Sequence, residues 1–334
     1  MRIALCTTTI HVPTALQLMR EFNPDVRFFV ATDEKTPDHA RDFVHTIKGV
    51  ETFGEIRSSV WKCSDAIGWN TLARRNIAFL EALKWGADVI YSWDNDNLPT
   101  GEAHFDYLAQ PFHGFSGIKL TSDSGWLDPG QLLAPQVRHR GFPYQKPPSK
   151  IATTKVGAKV GVAAGLVIGD PDIDASTRIE TRPDVGQVHI LGAMGVVVDL
   201  HTWTVFNAQN TAIVRELAPA FFQMPGVGRH DDIYASLIMQ RVARERGYHV
   251  HFGPPFTYQQ RNTHDQLIDL RAEIDGMETV SKMAEYLDHI PLLGKSVRED
   301  VQHIYSSLYV GGFIGDLQRD SAYAYLDDCE GLGL

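Results

Sequence analysis

Residues 70–97, NTLARRNIAFLEALKWGADVIYSWDNDN, decide the fold class. Asn70 or Thr71 is suited to cap a helix in which Leu72, Ala73, Ile77, Leu80 and Leu83 form a broad apolar stripe, and Gly86 is suited to stop it. ADVIYSW then reads as a strand, with the polar turn WDNDN at its carboxyl end. In open parallel sheets that end is where ligands gather.

The same alternation runs upstream. MRIALCTTT sets the apolar run 3–6 before Thr7, Thr8 and Thr9, whose hydroxyls are placed to cap the helix suggested by ALQLMREF. VRFFVATDEKTP repeats the arrangement, with Asp33 at the strand exit and Pro37 beyond it. Thr7, Thr8, Thr9 and Asp33 either share one crevice or serve as caps and turns. Downstream, the prolines of GFPYQKPPSK predict a long loop on the active-site side of the domain. VGAKVGVAAGLVIGDPDID holds no phosphate-loop pattern in register and reads as a strand with turns. VVVDL and WTVF are strand-like, IVRELAPAFF a short helix or turn, and GVGRHDDIYASLIMQRV a helix with Tyr234, Leu237, Ile238 and Val242 toward the core. His249 and His251 have strand spacing and fit edge or surface positions, and DQLIDLRAEI predicts a further helix.

At 334 residues, 43% hydrophobic and 22% charged, the chain has the composition of an ordinary globular protein with a substantial core. Its length suits one large α/β domain, two smaller ones, or a main domain with a helical annex. Forty-one acidic against 31 basic residues, a net charge of -10, do not advertise a nucleic-acid partner. Cys6, Cys63 and Cys329 are odd in number and far apart, which argues against a disulfide framework. With no leader-like start and no long apolar run, a cytoplasmic location without stable membrane insertion is expected.

Two acidic clusters carry the chemistry. Asp94 and Asp96, spaced i and i+2 in a turn, suit a hard divalent cation whose other positions take diphosphate oxygens and water. Such a cation neutralises a diphosphate as its bond to sugar breaks. Arg74 and Arg75, early in the preceding helix, reach across to a phosphate or lie on a solvated face. Asp231 or Asp232 caps the later helix, and the helix terminus favours the charged carboxylate. That suits a base or a clamp on an acceptor hydroxyl. The expected division is Asp231 as cap and Asp232 in the reaction.

The segments RRNIAFLEALKWGADVIYSWDNDN, FNAQNTAIVRE and GRHDDIYAS resemble nucleotide-sugar-dependent glycosyltransferases of the GT-A fold, especially STELLO-type proteins and, more remotely, reversibly glycosylated polypeptides that include UDP-arabinopyranose mutases. The resemblance implies an α/β, GT-A-like (Rossmann-like) mixed sheet flanked by helices over residues 1–264; residues 265–334 lie outside it and read as a helical C-terminal extension from their own amphipathic pattern. The resemblance further implies a UDP-sugar donor and Mn2+ or Mg2+ held by Asp94, Asp96 and a late histidine, His264. Asn95 and Arg261 join the donor and its phosphates, while Arg229, Asp231 and Asp232 become donor-sugar or acceptor-side residues. Asn95 interrupts what is a denser acidic run in these relatives, and His230 precedes the second pair. A polar helix cap is the other reading of His264. The function implied is metal-dependent transfer of a sugar to a glycan, protein, small molecule or modified nucleic-acid base, by a chain that either stands alone or forms a homo-oligomer. Alternatives are a nucleotide-sugar mutase and a non-catalytic sugar-nucleotide-binding or scaffold protein; a nuclease or phosphatase explains RHDD less well.

Overall fold

A computed structural model describes the chain except for residues 54–59, 102–103, 182–183, 189–193 and 262–264. The first four strands, β1 (Ile3–Thr8), β2 (Arg27–Ala31), β3 (Val50–Phe53) and β4 (Val89–Trp93), run parallel in the order β3-β2-β1-β4. Successive side chains alternate between two cores, as the strand period requires. Leu5, Phe28, Val30, Val89 and Tyr91 pack with α1 (Thr14–Phe22) and α2 (Asp38–Thr46). Ala4, Cys6, Phe29, Ala31 and Ile90 pack on the other face with α3 (Lys62–Ile67) and α4 (Arg75–Trp85). Because the chain winds from β1 out to β3 and returns to β4 on the far side of β1, the strand order reverses between β1 and β4. A crevice opens at that switch point, beyond the carboxyl ends of the strands.

Helix α4 ends as its sequence predicts, but it starts at Arg75, later than expected and without a side-chain cap of its own, behind a capped 3₁₀ turn. Thr71 Oγ1 accepts the Ala73 amide at 3.2 Å in the 3₁₀ turn Leu72–Arg74, and Gly86 closes the helix with a φ of 90° that favours glycine. The expected one-sided stripe does not form, since α4 is buried almost all round beneath α3 and the C-terminal helices. Leu72, expected in the stripe, is 61% exposed. The threonines after β1 do not cap α1, which starts beyond Pro13 with no side-chain cap.

The second half adds β5 (Asn97–Pro99), α5 (His104–Ala109), β6 (Phe115–Ser122), β7 (Trp126–Leu127), β8 (Leu133–Ala134), the 19-residue β9 (Ile151–Gly169), α6 (Ala175–Thr181), β10 (Gln187–Val188), β11 (Val196–Val198), β12 (Trp203–Thr204), β13 (Asn210–Val214), α7 (Asp231–Glu245) and β14 (Tyr248–Gln259). Among the described residues the main sheet has ten strands, continuing β4-β13-β9-β6-β11-β14-β5, with β13 antiparallel to both β4 and β9. Ile213 and Val214, read from sequence as helix or turn, belong to β13, and only Arg215–Ala220 winds into a 3₁₀ turn. His251 is buried between β11 and β9, a correction to the edge or surface position expected.

The extension consists of α8 (Gln266–His289), α9 (Val297–Val310) and α10 (Asp316–Gly331). Asp265 caps α8 through the Leu267 and Ile268 amides. Met283, Leu287, Ile304, Tyr305, Tyr325 and Leu326 enter the core that holds α4 and α7, so the extension completes that core. No helix among the described residues is long and apolar enough to cross a membrane.

Candidate functional site

The crevice at the switch point is a cleft of about 1410 Å³. One wall is the loop after β1 and the start of α4. Buried Asp33 accepts the amides of Glu34 (2.7 Å), Asn70 (2.7 Å) and Thr71 (3.0 Å), fixing the entry to α4 against the end of β2. Thr9 Oγ1 donates to the His11 carbonyl and accepts Asn95 Nδ2, both at 2.5 Å, which ties this wall to the turn after β4.

That turn carries the first acidic pair. Arg75 donates to Asp94 Oδ1 at 2.6 Å, to Ser92 Oγ at 3.2 Å and to the Ala208 carbonyl at 3.0 Å. Asp96 accepts Gln259 Nε2 at 3.3 Å, and burial, followed by the nearby Asp94 charge, pushes its carboxyl up to about 6. Asp94 thus gives Oδ1 to Arg75 and Asp96 gives Oδ2 to Gln259, leaving one oxygen of each uncommitted to another side chain among the described residues. No group of three or more His, Cys, Asp or Glu side chains among the described residues is arranged to hold a metal ion. Two crowded carboxylates still fit a hard cation whose remaining ligands arrive with substrate.

The opposite wall is the first turn of α7. His230 is the N-cap residue, and neither aspartate caps through its side chain, so the cap expected of Asp231 is not formed. Asp232 is the constrained member. Arg140 grips both its oxygens at 3.0–3.1 Å, and Oδ2 also accepts the Ala208 amide at 3.0 Å. The same arginine donates to Asp172 at 2.7 Å. Burial alone would raise the Asp172 carboxyl, but Arg140, Arg261 and Arg229 hold it well below the usual range. Asp231 lines the cleft with no ion pair among the described residues, and burial, then the adjacent Asp232, pushes it up to about 7. His230 is buried against Tyr234, its imidazole pushed down to about 3 by burial and Arg140 and therefore neutral. Ala208 joins the two walls: its carbonyl receives Arg75 while its amide serves Asp232.

The cleft brings together Thr8, Thr9, Asp33, Arg75, Asp94, Asn95, Asp96, Arg229, Asp231, Asp232 and Arg261 among the residues expected there. Thr7 and Arg74 do not line it. Thr7 is fully buried, and Arg74 turns inward to Ser64 Oγ at 2.9 Å and stacks over Trp69, because the core side of its turn offers acceptors and an aromatic face. Arg229 lines the cleft, but its guanidinium is held by Glu273 at 2.9 Å and Asp269 at 3.4 Å on α8. His264 lies outside the described residues. Sequence reasoning missed Arg140, Asp172, Gln209 and Gln259, which sit in irregular turns or at a strand end where no period or motif marks them.

No protein-family model matches the chain, and no curated protein matches it. Among solved structures, it is similar to glucosyl-3-phosphoglycerate synthase from Mycobacterium tuberculosis in complex with Mn2+ and uridine-diphosphate-glucose, at 9% identity and a TM-score of 0.38, over 86% of this chain and 77% of that one. At that level the likeness assigns nothing to the cleft.

Proposed function

We propose that the protein is a metal-dependent glycosyltransferase that takes a nucleotide-sugar, in the first instance a UDP-sugar, and passes the sugar to a hydroxyl acceptor. The observation that carries this reading is a single cleft with a crowded carboxylate pair, Asp94 and Asp96, on one wall and, on the other, Asp231, which has no ion pair among the described residues and whose carboxyl is raised by burial to about 7. A cation bound between Asp94 and Asp96 would supply charge neutralisation for the departing diphosphate. Arg75 keeps Asp94 oriented, and Gln259 does the same for Asp96. Thr8, Thr9, Asp33 and Thr71 belong to the wall that would receive the nucleoside. Asp231, titrating near neutrality, is suited to take the proton of the incoming hydroxyl as its oxygen bonds to the sugar carbon and the sugar–diphosphate bond breaks. Asp232, closed off by Arg140 and the Ala208 amide, is a positioning residue, the reverse of the division expected from sequence.

The test is a panel of nucleotide-sugars incubated with Mn2+ or Mg2+ and candidate acceptors, with mass analysis of nucleotide and sugar products. Cation-dependent release of nucleotide with the sugar on an acceptor is expected. An isomerised sugar nucleotide would indicate a mutase, and unchanged donor that binds but never reacts would indicate a binding protein.

A further inference from the structure

Lys35, Arg75, Arg140, Arg229 and Arg261 are cationic side chains lining the cleft, and four of them have acceptors. Arg75 is on Asp94, Arg140 on Asp172 and Asp232, and Arg229 on Glu273; Lys35, at the exposed rim, donates to the Asn70 carbonyl at 3.4 Å. Arg261 differs. Its side chain is 8% exposed, and Nε is enclosed without a hydrogen-bond partner among the described residues. The Asp172 oxygen that pairs with it is 4.0 Å away, outside hydrogen-bond reach, and the other oxygen of that carboxylate already serves Arg140 and Asn207. A guanidinium has five N–H donors and does not give up its charge, so enclosing it without acceptors is costly. Its planar fork matches a phosphate or a carboxylate.

Asp172 links Arg261 through Arg140 to Asp232 on the α7 wall, and the Arg261 charge also acts on Asp96 at the β4 turn, so its guanidinium stands between the two walls of the cleft. The carboxylate pair at Asp94 and Asp96 is the place suited to the donor's diphosphate. We propose that Arg261 receives an oxyanion, phosphate or carboxylate, carried by the compound whose hydroxyl faces Asp231, so that the acceptor is a small anionic hydroxy compound. This deepens the glycosyltransferase reading and rests on it.

Calorimetry separates the possibilities. Glycerol 1-phosphate is the probe and glycerol its uncharged control, each titrated with and without UDP and Mg2+ into wild type, Arg261→Gln and Arg261→Lys. The UDP-loaded wild type is expected to bind the probe and not glycerol. Arg261→Gln should weaken the probe by about tenfold or more while changing UDP affinity by less than about twofold. Arg261→Lys, which keeps the charge and loses the fork, should fall between them, and its retained UDP binding shows that the cleft is intact. Competition between probe and UDP, or an equal loss of both in Arg261→Gln, would assign the anion to the donor diphosphate and overturn the proposal. Absence of saturable probe binding to wild type overturns it as well, leaving water as the occupant. Failure of UDP to bind wild type would instead remove the donor reading and the acceptor role with it. The titration without UDP then still reads the oxyanion seat, whose loss in Arg261→Gln supports that part alone.

Discussion

Asp232 gives both carboxylate oxygens to Arg140 and the Ala208 amide, while its neighbour Asp231 lines the cleft with its carboxyl raised by burial to about 7. Substitution should separate them. Asp232→Asn leaves a buried guanidinium short of an acceptor charge and should cost roughly 2–3 kcal/mol of stability. Asp231 behaves in the opposite sense. Its folded value lies above the unfolded one, so the stability it contributes is full below about pH 4 and lost as pH rises through about 7. Asp231→Asn should therefore be more stable than wild type at pH 8, by about 1 kcal/mol or more, yet transfer sugar about 100-fold more slowly. Thermal unfolding at pH 5 and pH 8, with transfer rates at saturating donor, checks both; full turnover in Asp231→Asn would remove it from the reaction. Asp96 supplies a second pH signature. A cation needs its ionised form, so cation-supported UDP affinity should weaken as pH falls below about 6. Asp96→Asn should abolish both that affinity and its pH dependence in a calorimetric series.

Two helix contacts hold the α7 wall and the α4 wall in place. On α8, Gly276 meets the buried His230 ring so closely that a methyl group there would overlap it. Gly276→Ala must displace the imidazole next to Asp231, and a loss of about 1–3 kcal/mol with reduced turnover is expected. Unchanged unfolding and rate would show that the His230 seat does not support the site. On α10, Asp328 reaches 265 residues back to accept the Cys63 amide at 2.8 Å, and accepts Lys62 at 3.1 Å, supplying from afar the cap that α3 lacks locally. Asp328→Ala should cost about 1 kcal/mol, read by denaturant unfolding.

For the molecule as a whole, the incomplete carboxylate cage makes a prediction about linkage. If Asp94 and Asp96 alone hold a cation weakly and the donor completes its ligands, Mn2+ and UDP should each raise the other's affinity by the same factor. Titrating each in the absence and presence of the other measures that factor, and independent binding would sink the shared site. The C-terminal helices bear on the same point, since they share the core that supports α4 and α7. A chain ended at residue 264 should fail to fold as a cooperative unit, which hydrogen exchange or thermal unfolding would report.

The residues themselves determined the early strands and helices, because a buried parallel strand needs a continuous apolar run and a helix needs its caps. Thr71 and Gly86 are legible for that reason, as is the placing of Asp94 and Asp96 at the end of β4, whereas the cap of α8 is Asp265, which reads from sequence as part of the helix itself. Arg74 and Arg75 show where local reading stops. Adjacent on the chain, one turns into the core toward Ser64 and the other into the cleft toward Asp94, according to acceptors from distant segments. Asp231 and Asp232 divide in the same way: which one is closed off by partners and which is left facing the cleft depends on Arg140, 92 residues from Asp232, and on the Ala208 amide. Local sequence carries periodicity and capping, which act over a few residues, whereas desolvation and charge pairing are set by whatever the folded chain brings within a few ångströms, and only the tertiary structure decides that.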